Sequence, residues 1–209
     1  HVKNMVAGAG GVSLPTAMSL AELQKAAAEK PEDAQLLADL SYAYLRRKAN
    51  TDARRYALAS LKIDPRQQLA SYVLARLYLS IGDAKAALSY LQKSFQEDAP
   101  QANHLALLGG ILLKAKKHEQ AERLYLLGAK TFPHDEAWLK RLASIYLQAQ
   151  DNEKLFPTLE KLVVLDTESV AFRTKLAQLA LEREEFEAAE HWAMDALYIN
   201  INNATLHAL

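Results

Sequence analysis

Ala53, Ala87, Ala121 and Ala189 stand on a grid of 34 residues, and no gap has to be inserted anywhere to keep them there; Leu155 takes the one remaining place. Thirteen residues before each lies a leucine: Leu40, Leu74, Leu108, Leu142 and Leu176. The residue after each leucine is small (Ser41, Ala75, Gly109, Ala143, Ala177), and three further on Tyr44, Tyr78, Leu112, Tyr146 and Ala180 are mostly large and apolar. Pro65 and Pro133 close two of the units. A fixed period of this length narrows the possible folds more than any composition could. A short unit cannot bury its own apolar face, so each must stack on the next, and the product is an array of repeats.

The unit itself reads as two helices. Half of the residues are apolar, and the 7 glycines and 6 prolines fall at spaced intervals. The stretches between carry apolar residues at helical spacing, filled in with Ala, Leu, Lys, Glu and Gln. The segment "IGDAKAALSYLQKS" shows why small residues recur. Two antiparallel helices approach closely only where small side chains line the crossing, so Ala87 is a hole for a large side chain of the facing helix. Gly82 and Asp83 supply the turn before it and a helix N-cap.

These columns resemble the tetratricopeptide repeat (TPR), a 34-residue helix-turn-helix unit with Leu at position 7, a small residue at 8, Tyr at 11, Ala at 20 and 27 and Pro at 32. The resemblance covers five units: 34–67, 68–101, 102–135, 136–169 and 170–203. Residues 19–33 read as the second helix of an incomplete N-terminal repeat, 1–18 as a linker or leader, and 204–209 as the start of a further helix. The resemblance implies an all-α fold, a right-handed superhelical solenoid of antiparallel helix pairs with first helices on its inner wall. It also implies a non-catalytic protein-protein interaction scaffold whose concave groove takes a peptide segment or partner protein. Beginning at His1 and ending within the pattern at "ATLHAL", the sequence also fits a second reading, the accessory array of a larger enzyme or regulator.

Other classes lack their residues. With 25 basic against 25 acidic side chains, bulk charge predicts no nucleic-acid partner. The absence of cysteine removes disulfides, thiolate metal sites and thiol nucleophiles, and leaves cytoplasm and periplasm equally open. The six histidines do not pair at metal-ligand spacing and are expected on the surface or in turns; "HEQAE" lacks the second histidine of a zinc motif. "GAGG" at 8–11 is too short for a dinucleotide fingerprint and precedes no strand. No apolar run approaches the roughly 20 residues of a bilayer span, so no membrane insertion is expected. No cofactor is implied.

Candidate binding residues follow from the resemblance, which assigns unit positions 2, 5, 6, 9, 12 and 13 to the inner wall. Position 12 is Leu45, Leu79, Leu113, Leu147 and Leu181. This ladder either floors the groove for the apolar side of a ligand, or each leucine packs on the next first helix and shows only an edge. The bases are Arg46, Arg76, Lys114, Lys140, Arg141 and Lys175, against the acids Asp39 and Glu182, so an acidic ligand is expected in the middle to C-terminal part of the groove. Tyr42, Tyr72 and Gln178 add amphipathic or polar contact. The set that TPR proteins use to clamp chaperone tails is not met: only Arg141 matches its last element, and Ala137 stands at position 2 of that unit.

Two irregularities are expected. Leu155, Leu159 and Leu162 stand where small residues belong, and Pro157 follows, so the second helix of the fourth unit should start late or bend near Glu153 to Pro157, with its helix pair splayed. Phe186, Trp192, Leu197 and Ile199 should leave the C-terminal end apolar, so that either further chain covers it or it self-associates with a second copy.

Overall fold

The computed structural model describes residues 18–199. The leader expected over 1–18, Met18 apart, and the helix start expected at 204–209 lie outside the described residues. Among the described residues every regular element is an α-helix: α1 (Leu20–Glu29), α2 (Ala34–Arg46), α3 (Asn50–Ile63), α4 (Gln68–Ser80), α5 (Ala84–Ser94), α6 (Ala102–Lys114), α7 (His118–Thr131), α8 (Ala137–Ala149), α9 (Asn152–Leu165), α10 (Val170–Glu182) and α11 (Phe186–Ile199). The second helices of the pairs open at Asn50, Ala84, His118, Asn152 and Phe186, on the 34-residue grid.

One turn is used five times. Lys48, Gly82, Lys116, Gln150 and Glu184, again 34 apart, all have positive φ, between 55° and 82°. The N–H of the following residue reaches back to the carbonyl five earlier (Ala49 to Tyr44, Asp83 to Tyr78, Lys117 to Leu112, Asp151 to Tyr146, Glu185 to Ala180), each at 2.9–3.0 Å. This is the Schellman arrangement, which satisfies carbonyls left over at the end of the first helix and reverses the chain within three residues. Asp83 then caps α5 by accepting from the Ala86 N–H at 2.9 Å, and Asp151 caps α9 through the Lys154 N–H at 3.1 Å.

The chain divides into two compact units, His1–Leu124 and Tyr125–Leu209. In the first, α2 packs on α3 and α4 on α5, and the first helices α2, α4 and α6 touch in succession. Ala38, Ala53, Ala57 and Ala70 are fully buried and let Leu69, Val73 and Leu74 settle between the helices. α1 opens with a capping box, in which the Ser19 N–H donates to the Glu22 carboxylate at 2.6 Å and Ser19 Oγ accepts from the Glu22 N–H at 3.3 Å. It lays Leu23 and Ala27 on Leu37 and Leu40 of α2. The position-7 leucines Leu40, Leu74 and Leu108 are all buried here, as Leu142 and Leu176 are in the second unit.

One histidine departs from expectation. His104 of α6 is completely buried, with Nε2 2.7 Å from the Leu91 carbonyl of α5 and Nδ1 3.3 Å from the Gln68 carbonyl of α4. Leu91 lies in the last turn of α5, whose carbonyls lack helical partners, so the imidazole acts as a cap delivered from the next repeat. Periodicity alone reads a lone histidine as a surface residue because it carries no information about which carbonyls a neighbouring helix leaves unpaired.

In the second unit, Gly128 admits the Trp138 ring so closely that a Cβ at Gly128 would overlap it. Trp138 lies between Tyr125 and Phe132, with ring centroids at 6.3 and 5.8 Å. The late start expected for the fourth unit's second helix does not occur: α9 begins in register at Asn152 and runs through Pro157. Its early carbonyls find side-chain donors, Arg183 Nη2 to the Asn152 carbonyl at 3.0 Å and Thr158 Oγ1 to the Lys154 carbonyl at 2.7 Å. The oversized Leu155, Leu159 and Leu162 are all buried.

Candidate binding site on the first-helix wall

Tyr42 and Arg46 are four residues apart on α2, and Tyr72 and Arg76 four apart on α4, so each pair lies on one face of its helix. Because α2 and α4 touch, the two faces form one surface, with the Tyr42 and Tyr72 rings 6.3 Å apart and tilted by 51°. Arg76 Nη1 donates to Tyr72 Oη at 2.9 Å, and its guanidinium lies 5.8 Å from the centre of that ring. These four side chains, with Leu45, Leu77 and Ser80, Lys48 from the turn and Asn50 from the start of α3, line a cavity of about 380 Å³.

The charge of this cavity is one-sided. Its lining has three cations, Arg46, Lys48 and Arg76, and no carboxylate. All three are exposed, and among the described residues none has an acidic partner. Asp39, expected on this wall as an exposed acid, is instead only 5 % exposed. Its Oδ1 accepts from Gln35 Nε2 at 2.8 Å, and Gln35 Oε1 in turn accepts from Gln67 Nε2 at 3.0 Å. Burial holds the Asp39 carboxyl above the ordinary range, with the Gln35 bond pulling it partly back.

The other sequence-predicted residues are placed differently. Of the leucine ladder, Leu45 lines the cavity, while Leu79 is half-buried outside it and Leu77 of the same helix takes the lining position. Leu113 is half-buried and Lys114 exposed at the end of α6, also outside the cavity. In the second unit Lys140 is not a free cation: its Nζ lies 2.6 Å from Glu136 Oε1 and 3.5 Å from Asp166 Oδ2, and the Glu136 bond, first among the causes, holds its pKa up. Arg141 is spread over the Tyr125 and Trp138 rings at 5.8 and 6.0 Å. Leu147 is exposed, whereas Lys175 and Gln178 are half-buried. Sequence reasoning missed Lys48 and Asn50 because the repeat pattern assigns wall positions to first helices only, whereas Lys48 stands in the turn and Asn50 opens α3. No sequence signal marks them, since the positive φ of Lys48 is seen only in the structure.

Paired helices with small residues at the crossings, one repeated turn and a wall of successive first helices define a helical-repeat protein. No family model matches the sequence, and no curated protein does. Solved structures do. YrrB, described as a TPR protein with an unusual peptide-binding site, superposes with a TM-score of 0.66 at 15% identity, over 91% of this chain and 98% of that one. A crystal structure of MamA gives 0.62 at 16% identity, over 83% of this chain and 95% of the other. PilF of Pseudomonas aeruginosa gives 0.58 at 22%, over 85% and 82%. The likeness at these identities shows the fold, and this chain is folded as an array of tetratricopeptide-type helix pairs.

Proposed function

We propose that the chain is a non-catalytic scaffold that binds an acidic peptide segment on the first-helix wall of its first unit. The observation that carries this reading is the cavity between α2 and α4, with three unpaired cations, two tyrosines and no acid in its lining. Cations gathered on one wall add their fields and speed the approach of an oppositely charged chain, while tyrosines supply contact area at low entropic cost. YrrB, which shares the fold, is itself described as having a peptide-binding site. The sequence placed the acidic ligand in the middle to C-terminal part of the groove. Lys140, now neutralised by Glu136 and Asp166, favours the N-terminal site instead.

Binding of the fluorescein-labelled peptide DEDEGSSE, measured by anisotropy across a salt series, tests the reading. Affinity should fall as salt rises, since exposed charges are screened beyond about 8 Å at physiological ionic strength. The Arg46→Glu, Arg76→Glu double variant replaces two attractions by repulsions and should weaken binding by roughly tenfold or more at low salt. Equal affinity and an equal salt slope in the variant would reject the site.

A further inference from the structure

A second cavity, of about 410 Å³, lies in the same unit between the start of α3 and the end of α4. It has a different chemistry. Leu58, Leu74, Leu77 and Ile81 give it an apolar floor and side, and Arg54 stands at its rim. Ile81 is 76 % exposed and Leu58 40 % exposed, although both are large aliphatic residues beside a pocket. The places equivalent to Ile81 in the other units hold Arg47, Ala115, Ala149 and Arg183, so the repeat pattern does not call for an isoleucine there.

Among the described residues Arg54 is also uncommitted to any acid. Its Nη2 makes only a long bond of 3.4 Å to Tyr78 Oη, with the guanidinium 5.8 Å from that ring, whereas its neighbour Arg55 is held by Asp52 at 3.1 Å. The first turn of α3 beside it has no side-chain cap, since Ala49 occupies the N-cap. The cavity therefore offers an apolar hole with positive charge at its mouth.

The two cavities adjoin. Asn50, Leu77 and Ser80 line both, so a chain lying on the Tyr-Arg surface of the wall reaches the apolar cleft by crossing these three residues. We infer that the cleft is an anchor subsite: it takes a large apolar side chain from the same peptide whose acidic residues lie on the wall, with a flanking carboxylate against Arg54. This rests on the wall site proposed above and adds what that site lacks, a rule for sequence selectivity. A cationic wall alone accepts any acidic segment, and an apolar anchor selects those with a large side chain at one place.

The test uses the whole chain and two labelled peptides, DEDEGLFE and DEDEGSSE, which differ only in the apolar pair. Wild type should bind DEDEGLFE roughly tenfold tighter, the expected return from burying one large side chain. Ile81→Ser should abolish that preference and leave the affinity for DEDEGSSE unchanged, and Ile81→Asp should abolish it too while its added charge weakens the binding of both acidic peptides alike. Both substitutions are at a solvent-exposed position, so the fold is retained. Equal binding of the two peptides by wild type, or a preference that survives both variants, overturns the anchor subsite. The wall fails separately, by loss of charge dependence in the Arg46→Glu, Arg76→Glu variant. A preference for DEDEGLFE that depends on Ile81 while DEDEGSSE does not bind would reject the wall and keep the cleft.

Discussion

Lys116 and Glu184 hold φ angles of +58° and +61°, a backbone region that costs a residue with a Cβ about 1–2 kcal/mol and costs glycine almost nothing. The turn is used in every unit because its two reversed hydrogen bonds close the first helix, yet only Gly82 meets it without strain. Lys116→Gly and Glu184→Gly should each stabilise the protein by about 0.5–1 kcal/mol, the relief of strain being partly offset by the greater freedom of glycine in the unfolded chain, and Gly82→Ala should destabilise it by about 1 kcal/mol. Urea unfolding of the three variants checks both signs. Gly128 is required for a different reason: its Cβ position is filled by the rigid Trp138 ring, so Gly128→Ala should cost about 1–3 kcal/mol through overpacking. A rise in stability, as expected of glycine to alanine in an ordinary helix interior, would show that the Trp138 ring moves freely. The sequence made Gly82 legible as a turn, since a Gly-Asp step before a helical run carries its mechanism with it. It did not reveal that Lys48, Lys116, Gln150 and Glu184 adopt the same conformation, because their composition is that of any exposed helix end.

Between elements, His104 joins α6 to the end of α5 and the start of α4 through its two ring nitrogens. Burial pushes its pKa below the usual histidine value, although the two carbonyl bonds oppose that shift. The consequence has a definite sign. As pH falls through about 6.5 the unfolded chain takes up a proton that the folded ring resists, so stability should be lost from there down to the lower folded-state value and stay constant with respect to this group above it. His104→Gln, which retains a donor for the Leu91 carbonyl, should flatten that acid limb in urea melts taken over this range. An unchanged limb would assign it to other groups. Asp39, raised by burial, acts with the opposite sign: its contribution is present below the ordinary carboxyl value and is lost as pH rises from there through the folded-state value. The helix pairs themselves were readable because leucine at position 7 and small residues at positions 8 and 20 are steric requirements of a close crossing. The continuity of α9 through Pro157 was not: the proline takes the N–H partner only from the Glu153 carbonyl, while Arg183 from the next repeat holds the neighbouring Asn152 carbonyl and the Thr158 hydroxyl holds that of Lys154, contacts that no local pattern records.

At the scale of the molecule, a repeat array differs from a globular domain in that stability is carried by nearest neighbours, so a site built from adjacent repeats does not depend on distant ones. The two adjoining cavities described above are lined entirely by residues between Tyr42 and Ile81, on α2, α3, α4 and their turns. Of the wall residues that the sequence gathered over five units, Tyr42, Leu45, Arg46, Tyr72 and Arg76 line the first of these cavities. Periodicity reports where a side chain points relative to its own helix, but not whether a carboxylate such as Glu136 has already claimed the cation beside it. A fragment ending after Thr131, which keeps α1 to α7 and so leaves a complete repeat beyond the site, should therefore retain the peptide affinity of the whole chain to within about threefold, while unfolding at a lower urea concentration because its last helix loses the neighbour that covers it. Anisotropy with DEDEGLFE, alongside circular dichroism melts of fragment and whole chain, measures the two quantities independently. A fragment that is folded and yet binds more than about tenfold more weakly would mean that the ligand contacts residues beyond α7, and the binding surface would have to be extended to the second unit.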